Sequence, residues 1–507
     1  MLEEILAAAP RDDDLIVLHE VSCELATLEA ADFSGVAFRG LANFGSATFQ
    51  GATRFDNTAF QGRAWFERAT FQGDAWFPDA FFEDATFESA VFHGAAEFGQ
   101  STFHGEASFS KASFGEAEFV MTTFEGDTWF DGTTFHGEAS FPGARFQAGI
   151  WFREATFYQD ANFTESTFER GVEQSLLIHP FLVVGTLYLD HATLPIPLRL
   201  TVAAQALSCR GTRFPAGGHL RVACAEITFE DAEIPVPLIV SEHRLPEELI
   251  GSWDRLVGPQ IAARRAGLVS LQRADVAGLV ITGIELRKCH LAGAHHLDRF
   301  QITAPAGFYR IPAGPLGDRR SVLAEECAWR RQHSRRRHWQ QTAQLSDSPL
   351  LEQARLPEPA ELVGLCRLLR KGQEDSKNEP GAADLYYGEM EMRRHSQATP
   401  RAERLILCAY WLTAGYGLRA SRALATLALV VTGFAVALQA VGYHRPAPTF
   451  WASLLYAVQS TVSLEGRARQ LSGQLTLPGE LLRTALRLLG PLLLGLALLS
   501  VRNRVKR

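Results

Sequence analysis

Phenylalanine recurs at a short, nearly constant interval over the first third of the chain. Between residues 33 and 168, 26 of the 34 phenylalanines form one series in which every step is five or six residues. Fifteen of those steps are five residues long and ten are six. Neither the 3.6-residue period of an α-helix nor the two-residue period of a β-strand produces this spacing. The pattern therefore predicts a repeat architecture built from short stacked coils.

The position two residues before each of these phenylalanines is almost always small. It is alanine in 17 of the 26 cases and serine or threonine in seven more, and only Val36 and Ile150 are larger. A coil that turns a corner about every five residues would point one large and one small side chain inward on each face. Coils stacked about 4.8 Å apart would then superpose phenylalanine on phenylalanine and alanine on alanine. The outward positions are left for Glu, Asp, Gln, Arg, His and Gly.

These units resemble those of the pentapeptide-repeat family, which read roughly A-x-F-x-x or A-x-L-x-x. Direct matches are Ala42-Asn43-Phe44, Ala85-Thr86-Phe87 and Ala161-Asn162-Phe163. The resemblance implies a mainly β fold, a right-handed quadrilateral β-helix, over residues 31–170. The frequent sixth residue departs from the family pattern and indicates a corner insertion or a looser turn on alternate faces.

The next part of the chain contains weaker β signals. Short Val, Leu and Ile runs alternate with Gly and Pro, which is typical of short strands. We expect residues 171–300 to continue the solenoid irregularly, with a separate β domain as the alternative. A strict five-residue step returns at 265–297 and predicts a second pentapeptide set there, carried by Leu271, Val276, Ile281, Leu286 and Leu291. Residues 1–30 are expected to form an N-terminal cap.

From about Arg319 the composition shifts to the helix formers Glu, Arg, Gln and Leu. This predicts a cytoplasmic helical region over residues 318–398. Two sets of charged side chains stand out within it: Arg330, Arg331, Arg335, Arg336 and Arg337, and then Glu389, Glu391, Arg393 and Arg394. We interpret the first set as a solvated helix face, with contact to anionic lipid or nucleic acid as the alternative, and the second set as surface charges.

Two hydrophobic segments near the C-terminus predict a transmembrane hairpin. Residues 423–443 carry no charge, and 21 residues of helix span about 31 Å, the thickness of a bilayer core. Residues 481–501 form a second span if the arginines near its start reach the interface. Residues 401–422 are predicted to be an interfacial helix, and 502–507 a basic tail. The basic flanks favour a multi-pass protein of the inner or plasma membrane with both termini in the cytoplasm.

The loop between the spans, residues 444–480, contains an apolar stretch at 450–461 that is too short to cross a bilayer. This arrangement resembles the two-span pore unit of the potassium-channel superfamily, with a re-entrant helix at 450–461. The pore-loop-like residues that follow are Thr461, Val462, Ser463, Leu464, Glu465 and Gly466. The family lines its filter with a T-V-G-Y-G-like strand. Serine, leucine and glutamate here replace filter positions, which argues against potassium selectivity.

Charge is divided unevenly along the chain. Residues 1–170 carry 9 Lys+Arg against 28 Asp+Glu, and the remainder carries 40 against 29. The chain also resembles a broader group of bacterial pentapeptide-repeat membrane proteins, which have no agreed biochemical activity. We therefore expect a membrane-anchored scaffold whose acidic β-helix faces an unidentified protein partner, with the lipid bilayer as the second partner.

Two other functions are kept as alternatives. One is a tetrameric, weakly selective ion channel regulated by the cytoplasmic solenoid, which would make the chain a homo-oligomer. The other draws on the DNA-mimicking gyrase inhibitors of the repeat family, although membrane tethering argues against it, and nucleic acid is not expected as a partner. Hydrolase, Walker, dinucleotide and zinc-protease motifs are absent, and seven scattered cysteines form no ligand pattern. No enzyme activity, cofactor or metal is predicted.

Overall fold

The computed structural model describes residues 11–12, 15–169, 181–245, 247–303, 307–311, 320–333, 357–444, 448–462 and 475–505. The chain forms two compact units, Met1–Leu356 and Pro357–Arg507. The pore-loop-like residues Ser463 to Gly466 lie outside the described residues, as do the last two residues of the basic tail.

The first unit is a parallel β-solenoid of about 13 turns, so the predicted fold class is confirmed. Along one face, parallel pairings link the residues Val17, Ala37, Ala59, Phe81, Thr102, Thr123, Arg145, Thr167, Thr193, Arg213, Glu233, Asp275 and His295 in order. Each link joins one coil to the next, and most coils are 20 to 22 residues long.

The strands are short because each face of a coil is only about five residues wide. Strands β1 to β18 are Arg11–Asp12, Leu15–Leu18, Val21–Ser22, Thr27–Leu28, Ala31–Asp32, Val36–Phe38, Ala42–Asn43, Thr48–Phe49, Thr53–Arg54, Ala59–Trp65, Thr70–Phe71, Ala75–Trp76, Phe81–Thr86, Val91–Glu97, Thr102–Phe103, Ala107–Ser108, Ser113–Glu118 and Thr123–Phe124. Strands β19 to β34 are Thr128–Trp129, Thr134–Phe135, Ala139–Ser140, Arg145–Phe146, Ile150–Trp151, Thr156–Phe157, Ala161–Asn162, Thr167–Phe168, Phe181–Tyr188, Leu198–Ser208, Gly218–Ala223, Glu226–Thr228, Leu238–Glu242, Gly267–Ser270, Leu279–Thr282 and Gln301–Ile302. Strands β35 (Tyr309–Arg310) and β36 (Ser321–Val322) form a separate antiparallel pair.

The 26 phenylalanines form four continuous columns inside the solenoid. Rings one coil apart lie 4.5 to 5.2 Å between centroids, and their planes are within 18° of parallel. Every ring is at most 7% exposed. Rings of different columns meet edge to face or tilted, as Phe77 does with Phe87 at 84° and with Phe82 at 48°. The core is therefore one aromatic stack along the solenoid axis.

The six-residue steps leave this stack intact. Each coil has two tight corners in five-residue steps, where the second residue after a phenylalanine has a left-handed conformation, as in Ser46 (φ 51°) and Asn57 (φ 54°). The extra residues fall in the other two corners. Where a neighbouring coil lacks the extra residue, the register shifts at that corner, as between Phe60 and Arg63, while the phenylalanines stay aligned. The looser turns thus alternate with tight ones around each coil.

The solenoid continues through residues 181–302 with aliphatic side chains in the columns. β27 pairs in parallel with β24 and β25, and β28 to β33 follow coil by coil. One coil is much longer, because the link from Glu233 to Asp275 spans 42 residues. It contains helices α1 (Glu247–Val257) and α2 (Pro259–Ala262). Trp253 of α1 is buried against the side of the solenoid.

Helix α3 (Ala324–His333) contacts the last part of the solenoid through Glu325. Glu325 is buried, and its Oε1 accepts hydrogen bonds from the backbone N–H groups of Leu291 and Ala292. Glu326, also buried, pairs with Arg320 and with Arg330, whose Nε lies 2.8 Å from Glu326 Oε1. The interpretation of Arg330 as part of a solvated face is therefore wrong, since its charge is needed beside a buried carboxylate.

The second unit is helical. Its helices are α4 (Pro359–Asp375), α5 (Glu379–His395), α6 (Arg401–Ala414), α7 (Ala420–Ala437, extended by a π-turn at Leu438–Gly442), α8 (Phe450–Thr461) and α9 (Leu477–Val505). Helices α4 and α5 pack as a hairpin, and α7, α8 and α9 pack against one another. The expected helix over 401–422 is interrupted: α6 ends at Ala414 because Gly415 caps it in the left-handed conformation.

Candidate functional site

Two helices of the second unit are long and apolar enough to cross a membrane. The candidate spans are Ala420–Gly442 and Leu477–Arg502, with 17% and 22% of their most apolar windows buried inside the protein. Large aliphatic side chains point away from the helix contacts, including Leu429 and Leu488, which are 74% and 70% exposed. The core helix of a soluble protein would bury most of such residues. These helices therefore have the length and the exposed surface that a bilayer requires.

Helix α8 is packed between the two candidate spans. Ala457 of α8 belongs to one buried cluster with Val431 and Ala435 of α7 and Leu486 of α9. The last residue of α8, Thr461, lies against Gly490, where an added methyl group would come within 2.8 Å of Thr461 Cγ2. Gly490 is near the middle of α9, so α8 reaches about halfway along the hairpin.

Only the first two pore-loop-like residues belong to the described part of the chain. Thr461 is buried and its Oγ1 donates a hydrogen bond to the Ala457 carbonyl at 2.9 Å. Val462 is about half exposed. The other four, Ser463 to Gly466, lie outside the described residues. The structure thus brings the start of this segment against α9.

Helix α6 has an apolar face that other helices leave uncovered. Its inner side holds Leu407 and Ala414, which are buried. Leu405, Ile406 and Leu412 lie on the outer side and are each more than 60% exposed. Exposed aliphatic side chains at helical spacing are typical of a surface that contacts lipid or another protein.

A buried polar cluster joins α5 to the turn before α7. Tyr416 is buried, and its hydroxyl donates to Glu391 Oε1 at 2.9 Å. Arg394 Nη2 lies 3.0 and 3.1 Å from the two Glu391 oxygens. Trp411 stacks under the guanidinium groups of Arg394 and Arg422 at 4.6 and 5.2 Å. Burial raises the pKa of Tyr416 well above its usual value, and the nearby Glu391 charge raises it further.

The interpretation of Glu389 and Glu391 as surface charges is wrong. They are 2% and 4% exposed. Glu389 Oε1 accepts from Arg367 Nε at 3.1 Å across the α4–α5 hairpin. The signal in the sequence is the helical spacing of Tyr387, Glu391 and Arg394, which places all three on one face of α5. The charge of a glutamate by itself does not show that a partner buries it.

The outer surface of the solenoid carries the acidic excess. Glu97 and Glu118 are partners in the parallel register of adjacent coils, so their carboxylates share one face. Burial raises the pKa of Glu118, and the charges of Glu97, Glu116 and Glu138 raise it further. These four glutamates therefore form a patch of mutually repelling charge.

Candidate metal ligands are not clustered in the part of the chain that the structure describes. Within those residues, no three His, Cys, Asp or Glu side chains come together as metal ligands do. His104 does have a carboxylate partner, since its Nδ1 lies 2.5 Å from Glu125 Oε2 on an exposed face. Hydrogen bonding to Glu125 raises the pKa of His104.

Comparison with known proteins bears on the solenoid. A family model described as pentapeptide repeats (9 copies) matches residues 33–80, 46–95, 87–134 and 130–173. The pentapeptide repeats predicted from the phenylalanine series are therefore confirmed. These matches do not extend to the C-terminal hairpin, so they give no support to an ion-channel-like domain. No curated protein and no solved structure matches the chain significantly.

Proposed function

We propose that this chain is a membrane-anchored scaffold, in which the pentapeptide-repeat solenoid presents its acidic surface to a protein partner in the cytoplasm. The observation that carries the proposal is the exposed apolar surface of the two candidate spans. Water contact with so many large aliphatic side chains is unfavourable by roughly 25 cal/mol per Å². A bilayer removes that contact.

The charges at the ends of the hairpin support one orientation. Arg419 and Arg422 lie at the start of the first span, and Arg502 and Arg504 lie at the end of the second. Basic residues of this kind favour the cytoplasmic side. In this orientation both termini, and with them the solenoid, lie in the cytoplasm of a multi-pass protein. The exposed apolar face of α6 would rest at the same membrane surface.

Membrane fractionation of the full-length chain tests the anchor. We expect the protein to stay in the membrane pellet after alkaline carbonate extraction. Leu429→Arg combined with Leu492→Arg places a charge in each span, at a cost of about 2.5 to 3.5 kcal/mol per residue, and should shift protein to the supernatant. Met121→Arg, at an exposed residue of the solenoid, is the matched control. Release of the unmodified protein by carbonate would overturn the anchor.

The acidic surface of the solenoid supports a basic protein partner. Residues 31–170 carry 8 Lys+Arg and 20 Asp+Glu, a surplus that favours association with positive surfaces at low salt. In-cell cross-linking of the triple variant Glu97→Gln, Glu118→Gln and Glu138→Gln should lose adducts that the wild type forms. The control triple variant Glu67→Gln, Glu88→Gln and Glu154→Gln should retain the cross-linked adducts. Equal loss in both variants would contradict a partner on this face.

A tetrameric, weakly selective pore is a second candidate. The observation in its favour is that α8 ends beside the middle of α9, as a re-entrant helix does. Polar filter residues would then be supplied by the segment that follows α8. Planar-bilayer recordings of purified protein test this function. Single-channel events that change with Glu465→Ala would support a pore, and their absence at all tested voltages would exclude it.

A further inference from the structure

A cleft lies where the long coil of the solenoid returns from its helical excursion. After α2 the chain rejoins the solenoid at Arg264 and Arg265, and β32 then pairs with β30. The next coil adds Arg287 and Lys288 to the lining of the cleft. The cleft is partly open to solvent and has a volume of about 360 Å³, within the usual range for small-ligand sites. Leu268 and Val269 border the cleft, but their side chains are buried in the solenoid, 1% and 8% exposed.

Carboxylates hold three of the four basic side chains in place. Arg265 makes a two-point pair with Glu242, with Nε to Oε1 at 3.1 Å and Nη2 to Oε2 at 2.7 Å. Lys288 Nζ lies 3.1 Å from Glu226 Oε1. Arg287 Nη2 lies 3.6 Å from Glu285 Oε1. Each contact already restricts the rotamers of a basic side chain. Less conformational entropy is therefore lost when that side chain binds a ligand.

The cleft has an excess of positive charge. Its lining has four cations, Arg264, Arg265, Arg287 and Lys288, against the two anions Glu226 and Glu285. Among the described residues, no carboxylate lies within ion-pair distance of Arg264. The lining therefore carries a formal charge of two positive units on a solenoid whose first part is strongly acidic. Glu242, paired with Arg265, offsets one of them.

We propose that this cleft binds the phosphate group of a small phosphate monoester. A phosphate monoester is close to a dianion at neutral pH, so a lining with a net positive charge attracts it. Arginine guanidinium groups donate two parallel hydrogen bonds to phosphate oxygens. Arg264 and Arg287 would make these bonds from different coils, and Lys288 would add a point charge.

Isothermal titration of the full-length protein in detergent tests the site, with phenyl phosphate as the probe. We expect saturable binding that weakens as the pH falls below about 6, where the second phosphate proton is taken up. Combined Arg264→Ala and Arg287→Ala should weaken binding at least tenfold, since each charge-assisted hydrogen bond makes a large contribution to affinity. Arg210→Ala with Arg213→Ala, at two exposed arginines of the same solenoid, is the matched control.

Two results would overturn the site. One is no saturable heat with phenyl phosphate at low ionic strength. The other is an equal loss of affinity in the cleft variant and in the control variant, because that would indicate general attraction to basic side chains. Unchanged circular dichroism of the cleft variant rules out unfolding as the cause of a loss, and Lys288→Arg should retain binding within a few fold.

Discussion

Replacing Phe82 by alanine tests whether the ring columns hold the solenoid together. Phe82 is completely buried. Its ring lies 4.8 Å from Phe60 and 4.6 Å from Phe103, with planes 8° and 3° from parallel. Removing a buried phenylalanine side chain costs about 3 to 5 kcal/mol, because the cavity forfeits contacts on every side. The neighbouring Phe81 points outward from the same strand, β13, and provides a control of the same residue type.

The effect should be local, since a coil contacts only its neighbours. Hydrogen exchange of the full-length protein in detergent, read by mass spectrometry, resolves it. The reporters are the amides of Thr102 and His104, which donate to the carbonyls of Ala80 and Phe82. A loss of about 3 to 5 kcal/mol accelerates exchange by about a hundred to a few thousand fold if these amides exchange by opening of the coil.

Phe81→Ala should change exchange far less, because substitutions at the surface alter stability by about 0.5 kcal/mol. Phe82→Leu fills much of the cavity and should give an intermediate effect. Equal acceleration in Phe81→Ala and Phe82→Ala would refute the role assigned to the column. So would an unchanged exchange rate in Phe82→Ala.

Three further predictions concern buried polar groups and a close helix contact. Glu391→Ala leaves the partly buried Arg394 without its carboxylate and should destabilise the second unit by about 3 kcal/mol, the lower end for a buried pair. Tyr416→Phe removes one hydrogen bond and should cost about 1 to 2 kcal/mol. Thermal unfolding in detergent measures both. Burial raises the pKa of Glu325 above its usual 4.5. The folded state therefore holds the proton more tightly than the unfolded chain, and stability falls as the pH rises above that value. Glu325→Gln should remove this loss. The unfolding free energy of the variant minus that of the wild type should therefore be more positive at pH 8 than at pH 4. Gly490→Ala forces a methyl group against α8 and should cost about 1 to 3 kcal/mol, while Gly495→Ala, where no atom lies within 4 Å, should be neutral or slightly stabilising.

Each of these predictions has a contrary result. If Glu391→Ala destabilises the protein no more than Tyr416→Phe does, the guanidinium group of Arg394 must become solvated in the variant. A pH-independent difference between Glu325→Gln and the wild type would mean that this carboxyl does not titrate in the range. Equal melting temperatures for Gly490→Ala and Gly495→Ala would mean that α8 does not pack against α9.

The solenoid of residues 33–168 is predictable from the phenylalanine spacing alone. Each ring stacks on the equivalent ring one coil later in the chain. The repeat length in the sequence therefore predicts contacts such as that between Phe60 and Phe82. The candidate spans are likewise predictable, because the length of an apolar segment gives the length of the helix that it can form. Both are local or periodic properties.

Features that join residues far apart in the chain follow from the tertiary structure. It buried Glu389 and Glu391, because their arginine partners lie on other turns or helices and the charge of a residue does not reveal its partner. It ended α6 at Ala414, where the chain turns. It also brought Arg264 and Lys288 to one cleft beside an extra helical excursion. Such contacts depend on how the coils and helices pack. That packing involves segments far apart in the chain, so no regular spacing in the sequence predicts it.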